Sequence, residues 1–384
     1  MPRVAIVHDY LFQFGGAEKV VEKWLQQYPG ADLYTSFFVP EMFTSCELIT
    51  KAWETKKLHT TWVQGLFQNK FFQKFFKHFF WLYPIVMSFL WVKDYDLVLI
   101  SSTNCGKNVR YKNCPKIIHY CHSPTRYLYQ MDRETDLQTI NPVLRKIIPL
   151  FTFWLKWMDQ KAARYLNKNG CQWVANSKYI QGLIQEIYAT KSIVIYPPVE
   201  LEKYRDIARK VNFGEPFYFY FGRISFHKKV ELIVQACLDS GKKVVIAGQA
   251  VFRPEMEKLK KMVADSGKLG LVEFVDRRVS DEEIKQYLTS CRAFLYPAKE
   301  DFGIVPIEVL SSGTPLIAYG AGGALEYIKD GSNGVLFPEQ TVKSLQEGIL
   351  KFEKGLWDSE KIKASSLGFS GLEFVKNIRN LVGF

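Results

Sequence analysis

Apolar runs alternate with amphipathic segments along most of the chain. RVAIVHDYL is followed by FGGAEKVVEKWL, the pattern of a buried parallel strand, a glycine turn and a helix. Further strands are predicted at DLVLISS, KIIHYCHSP, CQWVANS and SIVIYPPVE, and the second half repeats strand and helix more regularly from FYFYFGRI to PLIAYG. Repeated strand–helix units predict the α/β class, with parallel sheets covered by helices on both faces.

The length of 384 residues favours two domains. The double proline at Pro197 and Pro198 stops regular structure and marks a boundary, so the first domain is expected to cover residues 1–196. We expect two doubly wound domains, with a ligand cleft at the carboxyl ends of their strands.

The net charge of +12 is concentrated in the first half. Residues 1–196 contain 24 Lys and Arg against 14 Asp and Glu, whereas residues 197–384 contain 27 against 25. This asymmetry predicts an anionic partner for the first half, which leaves nucleic acid, membrane lipid and a phosphate-bearing substrate open. No helix-turn-helix, RNA-recognition or zinc-finger pattern accompanies the charge, so nucleic acid is not the expected partner.

The seven cysteines are scattered and form no CxxC pair, which argues against a disulfide framework or a zinc site. Free thiols of this kind are typical of a reducing cytosol. The chain enters a strand-like run directly at MPRVAIVHDY, so no signal peptide is expected.

The segment 62–92 is unusually aromatic and basic. Lysines recur at helical spacing on one side of it and phenylalanines crowd the other, as in an amphipathic helix at a membrane interface. Its longest uncharged run is too short to span a bilayer. The alternative is a core helix whose lysines face water. The candidate membrane contacts are Lys70, Phe71, Lys74, Phe75, Lys77 and Phe79.

Glycines follow a predicted strand in two places. Gly15 and Gly16 precede a helix, where backbone N–H groups can approach a phosphate or a sugar, although tight turns also use glycine for purely structural reasons. Neither GGAEKV nor GAGGAL fits the GxGxxG fingerprint, which disfavours a nicotinamide dehydrogenase.

Two short stretches of the second half carry the candidate chemistry. In GRISFHKK, Arg223 and Lys228 follow a strand, where two cations can hold a diphosphate; the alternative is a solvated basic turn. In KEDFGIVPIE, Glu300 precedes a helix start near Ile304 and Glu308 lies inside the helix. Both carboxylates can then accept hydrogen bonds from sugar hydroxyls, or they can merely satisfy the helix dipole.

HYCHSPTRYLYQ ends a strand of the first half. His119 and His122 are three positions apart, so in an extended run they point to opposite sides, and we expect one to be packed and the other to face the cleft. No third ligand stands at a credible spacing, so no metal site is expected.

Taken together, GGAEKV, HYCHSPTRYLY, GRISFHKK, KEDFGIVPIE and GTPLIAYGAGGALEYI resemble the retaining nucleotide-sugar glycosyltransferases of the GT-B fold. The resemblance covers essentially the whole chain and is greatest to bacterial GDP-mannose-dependent mannosyltransferases of O-antigen and exopolysaccharide synthesis. It implies a nucleotide-sugar-binding domain over 197–365 and a C-terminal crossing helix over 366–384 that packs on the first domain.

The resemblance also implies roles for individual residues. Glu300 would bind the donor sugar, Glu308 the ribose, Arg223 and Lys228 the departing diphosphate, and His122 would lie near the transferred sugar. The other donor-binding candidates are Gly15, Gly16, Arg278, Val279, Asp301, Phe302, Gly303, Ile304 and Val305.

The function that follows is transfer of a hexose, with mannose favoured, from a nucleotide diphosphate sugar to a lipid-linked or growing glycan. No cofactor or metal is expected, and the enzyme is expected in the cytoplasm, peripheral on the inner face of the plasma membrane. The alternatives are a nucleotide-sugar epimerase or phosphorylase of the same fold, a glucosyl or galactosyl transferase using a UDP-sugar, and a non-catalytic scaffold. An epimerase is disfavoured because it has no use for the segment 62–92. A phosphorylase of this fold typically needs a pyridoxal-binding lysine, and none is identifiable in the sequence.

Overall fold

The computed structural model describes residues 2–44, 46–79, 81–131, 142–205 and 215–383. They form two compact units: unit 1 comprises Met1–Pro198 with Phe374–Phe384, and unit 2 comprises Val199–Glu373. The first division falls two residues beyond the 196/197 boundary expected from the double proline. The chain returns to unit 1 at Phe374, later than the expected 365/366 boundary.

Unit 1 is built on parallel strands. Its strands are β1 (Val4–His8), β2 (Asp32–Tyr34), β3 (Leu58–His59), β4 (Trp91–Lys93), β5 (Leu97–Ser102), β6 (Arg110–Lys112), β7 (Ile117–Cys121), β8 (Gln172–Ala175) and β9 (Ser192–Val194). The main sheet has the order β3-β2-β1-β5-β7-β8-β9, and β4 pairs with β6 separately. The central strands β1, β5 and β7 are buried along their whole length, which is why they appear in the sequence as continuous apolar runs.

Helices connect these strands. They are α1 (Gly16–Gln27), α2 (Glu47–Glu54), α3 (Gln64–Phe67), α4 (Lys70–Lys74), α5 (Leu82–Met87), α6 (Arg126–Tyr129), α7 (Pro142–Lys168) and α8 (Lys178–Tyr188), with 3₁₀ turns at Pro40–Met42, Phe76–Phe79 and Gly106–Asn108. The side chain of Ser177 caps α8 by accepting a hydrogen bond from the Ile180 N–H. The 27-residue helix α7 was not predicted from the sequence.

Unit 2 contains a six-stranded parallel sheet. Its strands are β10 (Tyr218–Phe221), β11 (Val244–Ala247), β12 (Val272–Val275), β13 (Phe294–Tyr296), β14 (Leu316–Tyr319) and β15 (Gly334–Phe337). They are arranged in the order β12-β11-β10-β13-β14-β15. In chain order this is 3-2-1-4-5-6, the arrangement of a doubly wound nucleotide-binding sheet, whose direction of winding reverses beside β10.

The helices of unit 2 alternate with its strands, as the pattern predicts. They are α9 (Glu202–Arg205), α10 (Val230–Ser240), α11 (Arg253–Asp265), α12 (Asp281–Ser290), α13 (Ile304–Ser311), α14 (Ala324–Tyr327), α15 (Val342–Glu353) and α16 (Ser359–Ser365), with 3₁₀ turns at Phe226–Lys228, Leu269–Leu271 and Leu367–Phe369.

The last helix, α17 (Gly371–Val382), belongs to the core of unit 1. Its residues Phe374, Ile378 and Val382 are buried together with apolar residues of β1 and α1. The Lys116 side chain donates a hydrogen bond to the carbonyl of Val382 at 2.5 Å.

The segment 62–92 is not one amphipathic helix. Its described residues form three short helices and a 3₁₀ turn, and Pro84 lies in the first turn of the third helix, where a proline is tolerated. Phe79 packs against the core of unit 1 and Phe75 is half-buried, whereas Phe71 is exposed, as are Lys70 and Lys74. The side chain of Lys77 lies outside the described residues. Phe72, Phe76 and Phe79 pack against the core while Lys70 and Lys74 are exposed, which favours the core alternative, and the exposed Phe71 departs from a strict separation of the two faces.

A buried ion pair lies beneath the loop that follows β5. The Lys107 Nζ is 2.7 Å from the Asp159 carboxylate of α7, and both side chains are buried. Lys107 also donates to the Asn104 carbonyl and to Thr125, and Asp159 also accepts from Thr125 and Tyr188. The pair therefore joins α7 to the loop at the carboxyl end of β5.

We expect Lys107→Met to lower the free energy of unfolding of unit 1 by about 3 kcal/mol, because it leaves the Asp159 charge buried without its cation. Urea denaturation followed by tryptophan fluorescence measures this, since eight of the nine tryptophans precede Pro198. The double variant Lys107→Met/Asp159→Leu should regain most of the loss. Equal stability of Lys107→Met and the wild type would contradict the assigned role of the pair.

Candidate functional site

The candidate residues of unit 2 lie at the carboxyl edge of its sheet, where the strand order reverses. Strand β10 lies between β11 and β13, and the loops that leave β10 and β13 carry Arg223, Lys228 and Glu300. Ligands of doubly wound sheets bind in the crevice at such a reversal.

Lys228 and Glu300 form an ion pair across this reversal. The Lys228 Nζ lies 2.5 Å from the Glu300 carboxylate and 5.7 Å from the centre of the Tyr296 ring. The sequence assigned them to different parts of a ligand, a diphosphate and a sugar. Because the two side chains are in contact, those two subsites lie side by side. The attraction between the opposite charges holds both side chains in place.

Arg223 is the more open of the two predicted cations. Its side chain is exposed, and its carbonyl accepts a hydrogen bond from the Tyr220 hydroxyl at 3.1 Å. The backbone of the loop is thus held while the guanidinium remains accessible to a ligand.

The loop between β13 and α13 packs on the glycine loop after β14. The Gly323 N–H donates to the Glu300 carbonyl at 2.8 Å. A Cβ on Gly322 would lie 2.2 Å from that carbonyl oxygen, and one on Gly323 would lie 2.1 Å from the Phe302 carbonyl oxygen. GAGGAL therefore has glycines because two backbones meet there, which the sequence did not reveal.

This packing separates the predicted donor contacts into core residues and accessible ones. Phe302 is buried and its ring contacts Tyr327 and Phe369, so its side chain is structural. Asp301 is buried as well. Gly303 has a φ of 95° and precedes α13, whose first residues, Ile304 and Val305, are half-buried.

Glu308 is buried within α13 and lies near Lys203. Burial lowers the pKa of Lys203, but its hydrogen bond to Asp281 and the charge of Glu308 outweigh burial, so that the pKa is raised above its usual value. The two glutamates of the motif are thus each accompanied by a lysine. Lys203 was missed because it lies on a short helix directly after the predicted boundary.

A pocket of about 530 Å³ lies beside Lys203 and is lined by Glu200, Glu202, Lys203, Asp281 and Lys285.

The loop before α12 contains Arg278 and Val279, which are among the predicted donor contacts. Arg278 is exposed, whereas its neighbour Arg277 pairs with Glu283 at 2.5 Å. Both arginines are exposed, but Arg277 is held by its ion pair with Glu283.

Unit 1 has a corresponding reversal beside β1, occupied by the carboxylate of Asp9. The backbone N–H groups of residues 103–106 all donate to it at 2.6–2.9 Å, and the Ser102 hydroxyl donates at 2.8 Å. Burial raises the pKa of Asp9, but the charge of His8 and these hydrogen bonds outweigh it and lower the pKa to about 2. A permanent anion therefore organises the loop after β5.

His8 connects this loop to His122. The His8 Nδ1 is 3.0 Å from the Ser101 carbonyl oxygen, and because a carbonyl only accepts, Nδ1 carries a hydrogen. The His8 Nε2 faces the Glu18 carboxylate at 3.5 Å. Burial lowers the pKa of His8, but Glu18 outweighs it through its hydrogen bond and its charge, so that the pKa is raised.

The Ser101 hydroxyl continues the connection, lying 3.1 Å from the His8 Nδ1 and 2.8 Å from the His122 Nε2. Since His8 donates, the network assigns the serine hydrogen to the His122 Nε2, and the proton of neutral His122 lies on Nδ1. Burial and the charge of His8 lower the pKa of His122 to about 3. His8 and Ser101 were not predicted as site residues, because the apolar patterns of AIVHDYL and DLVLISS indicate only buried strands.

His119 and His122 have different surroundings, as the extended spacing predicts, but neither is open. His119 is 1 % exposed and meets the Trp173 ring edge-to-face, and His122 is 6 % exposed. Both imidazoles are thus buried, and the expectation that one of them faces the ligand cleft stays a prediction.

Gly15 uses its backbone N–H within unit 1. It donates to the Glu18 carboxylate at 2.9 Å, as the cap of α1, and Gly16 is the first residue of that helix. The expected approach of the Gly15 amide to a ligand is thus replaced by a contact that also orients Glu18 towards His8.

The described residues include neither a cluster of metal-ligating side chains nor a membrane-spanning helix. No group of three or more His, Cys, Asp or Glu side chains there could hold a metal ion. In the same part of the chain, no helix has the length and apolar character needed to cross a membrane.

The segment 203–365 matches the model of the family described as glycosyl transferases group 1. This segment contains the Lys228–Glu300 pair and Glu308. Most of unit 2 therefore resembles a glycosyl transferases group 1 domain.

Several named proteins are similar to parts of this chain. The chain is 28 % identical over 214 residues to an uncharacterized glycosyltransferase, MJ1178, of Methanocaldococcus jannaschii. The aligned residues make up 56 % of this chain and 57 % of that protein. It is 28 % identical over 325 residues to the alpha-1,3/1,6-mannosyltransferase ALG2 of Saccharomyces cerevisiae, covering 68 % and 61 %. The chain thus spans less than two thirds of the length of these relatives.

Among solved structures, Anabaena HepE in complex with UDP is similar over 99 % of both chains, with a TM-score of 0.68 and 16 % identity. This likeness concerns the fold, and it confirms the expected GT-B architecture of parallel sheets in two domains.

We expect the imidazole ¹⁵N shifts of His122 to show the Nδ1–H tautomer at neutral pH. Ser101→Ala should populate the Nε2–H form, because the hydroxyl that donates to Nε2 is gone. The matched control is Ser102→Ala, which removes a hydroxyl from Asp9 on the same strand and should leave the His122 tautomer as it is. An unchanged tautomer in Ser101→Ala would disprove the assigned network.

Proposed function

We propose that this protein is a retaining glycosyltransferase that moves a hexose from a nucleotide diphosphate sugar to a glycan acceptor. The observation that carries the proposal is the Lys228–Glu300 pair at the strand reversal of unit 2, within the segment that matches the group 1 family. One cation for a departing diphosphate and one carboxylate for sugar hydroxyls stand there in direct contact.

The reaction breaks the bond between the sugar C1 and a diphosphate oxygen and forms a bond from C1 to the acceptor oxygen. Positive charge develops on the sugar ring and negative charge on the diphosphate. Lys228 and the accessible Arg223 stabilise the diphosphate as its charge forms. Binding of the diphosphate therefore competes with Glu300 for Lys228 and releases Glu300 to the sugar.

Retention follows when the acceptor attacks from the face that the diphosphate leaves. The departing phosphate oxygen then takes the proton of the acceptor hydroxyl, so no enzymic nucleophile is needed. Glu308, buried beside Lys203, holds the ribose. His122, kept neutral by burial, offers its Nδ1–H to the transferred sugar.

Mannose from GDP-mannose is the proposed donor sugar, and the proposal includes no cofactor and no metal. Support comes from the resemblance of the motifs to mannosyltransferases and from similarity to ALG2, named as a mannosyltransferase. The proposed acceptor is a lipid-linked or growing glycan, reached from the cytoplasmic side at an anionic membrane surface. The excess of 24 basic over 14 acidic residues in 1–196 supports that location.

The donor is identified by a thermal-shift panel of GDP, UDP, ADP and their sugars, each with and without magnesium. GDP and GDP-mannose should raise the melting temperature without magnesium, because a ligand that binds only the folded state stabilises it. Glu308→Gln should lose most of that rise. A rise with UDP-sugars alone overturns mannose as the sugar, and no rise with any nucleotide overturns the enzymatic proposal.

Lys228→Ala should reduce turnover of the donor by on the order of 100-fold, as loss of one preorganised contact to a developing anion does. Donor hydrolysis followed by nucleotide release measures this. Lys258→Ala is the matched control, since Lys258 belongs to an exposed ion pair with Glu231 in the same unit. Full turnover in Lys228→Ala would disprove the diphosphate assignment.

A further inference from the structure

The solvent face of α7 is apolar between residues 150 and 157. Leu150, Phe153, Trp154 and Trp157 recur at helical spacing and are 76 %, 72 %, 41 % and 50 % exposed. The opposite face of the helix, with Leu155 and Leu166 among others, is already buried in unit 1. The exposed residues are therefore not needed for the core.

The same stripe becomes basic towards the end of the helix. Lys161 and Arg164 continue it one and two turns beyond Trp157, and both are exposed. The Lys161 Nζ lies 5.1 Å from the centre of the Trp157 ring. The aromatic–basic face is defined here as Leu150, Phe153, Trp154, Trp157, Lys161 and Arg164; it runs for about 21 Å along the helix.

Neighbouring rings enlarge the apolar end of this face. Phe151 lies with its ring centre 6.5 Å from that of Trp81 and 6.3 Å from that of Trp154. Trp81 is partly exposed and belongs to the aromatic segment 62–92. An exposed cluster of this kind marks an interaction site, because scattered single apolar residues are the norm on soluble surfaces.

The charges along the face select its occupant. Between residues 150 and 164 the only carboxylate is Asp159, which is buried and paired with Lys107. Aromatic rings followed by cations suit the headgroup region of an anionic bilayer, where rings enter the interface and cations meet lipid phosphates. A second copy of this chain, with net charge +12, would bring cation against cation.

We propose that the aromatic–basic face of α7 is the surface through which unit 1 lies on an anionic lipid bilayer. This deepens the membrane location contained in the proposed function and rests on it. The aromatic segment 62–92 then contributes through Trp81 at the edge of the contact, while its Phe79 serves the core.

The test is co-sedimentation of the full chain with vesicles of phosphatidylcholine, with and without phosphatidylglycerol. The wild type should bind the anionic vesicles. Phe153→Ser/Trp157→Ser should weaken binding by at least about 10-fold, because two rings no longer enter the interface. Lys161→Gln/Arg164→Gln should weaken it by on the order of 10-fold and reduce its dependence on salt.

The matched control is Phe252→Ser/Leu269→Ser, which removes two comparably exposed apolar side chains from unit 2 and should bind as the wild type does. Unchanged binding of Phe153→Ser/Trp157→Ser would overturn the inference. So would a wild type that ignores anionic vesicles but forms a dimer, by sedimentation velocity, that Trp157→Ser abolishes.

Donor hydrolysis measured without vesicles separates this inference from the proposed function. The face lies outside the residues assigned to the donor, so its variants should hydrolyse the donor at the wild-type rate. A wild type that binds vesicles but no nucleotide sugar would disprove the proposed function alone. Hydrolysis that proceeds while vesicle binding is insensitive to α7 would disprove this inference alone.

Discussion

Parallel strand pairing is the constraint on which both candidate sites depend. When every strand of a sheet runs in the same direction, all carboxyl ends reach one edge, and the loops that leave them become neighbours although they are far apart in the sequence. Residues 228 and 300 meet across β10 and β13 in this way, and residue 9 meets residues 102–106 across β1 and β5. The strand order decides where these loops meet, because both sheets reverse their winding beside the first strand of their unit.

Buried charge then gives these edges a defined geometry. Asp9 gathers four backbone N–H groups, and Lys107 with Asp159 joins the same loop to α7. Such groups are costly to bury, so each persists only where partners surround it completely. In unit 1 such buried groups also position a candidate residue. The series of contacts from Glu18 through His8 and Ser101 orients the imidazole of His122. In unit 2 the Lys228–Glu300 contact is more accessible, as suits a pair that a ligand has to separate.

The helix α7 connects the interior of unit 1 with its surface. Its inner face supplies Asp159 to the buried pair, and its outer face carries exposed aromatic and basic side chains. The basic excess of the first half predicts an anionic partner, and the segment 62–92 is the membrane contact that the sequence proposes. The structure divides that segment between core and surface, and the exposed aromatic residues of α7 form a further apolar surface that meets the segment where Phe151 contacts Trp81.

The sequence by itself determined the elements that local pattern controls. Buried strands such as β5 and β7 appear as apolar runs, and in unit 2 the alternation with helices predicted β10 to β14 and their helices. Order and spacing also proposed Lys228, Glu300 and Glu308 as candidate residues, and the structure brings Lys228 and Glu300 into contact. The sequence did not identify α7 or β15, or the involvement of His8, Ser101 and Lys203. Those residues acquire their roles only from partners distant in the chain, such as His122 for Ser101 and Glu308 for Lys203. The tertiary structure decided these pairings, because strand order and helix packing, which no local pattern encodes, bring the partners together.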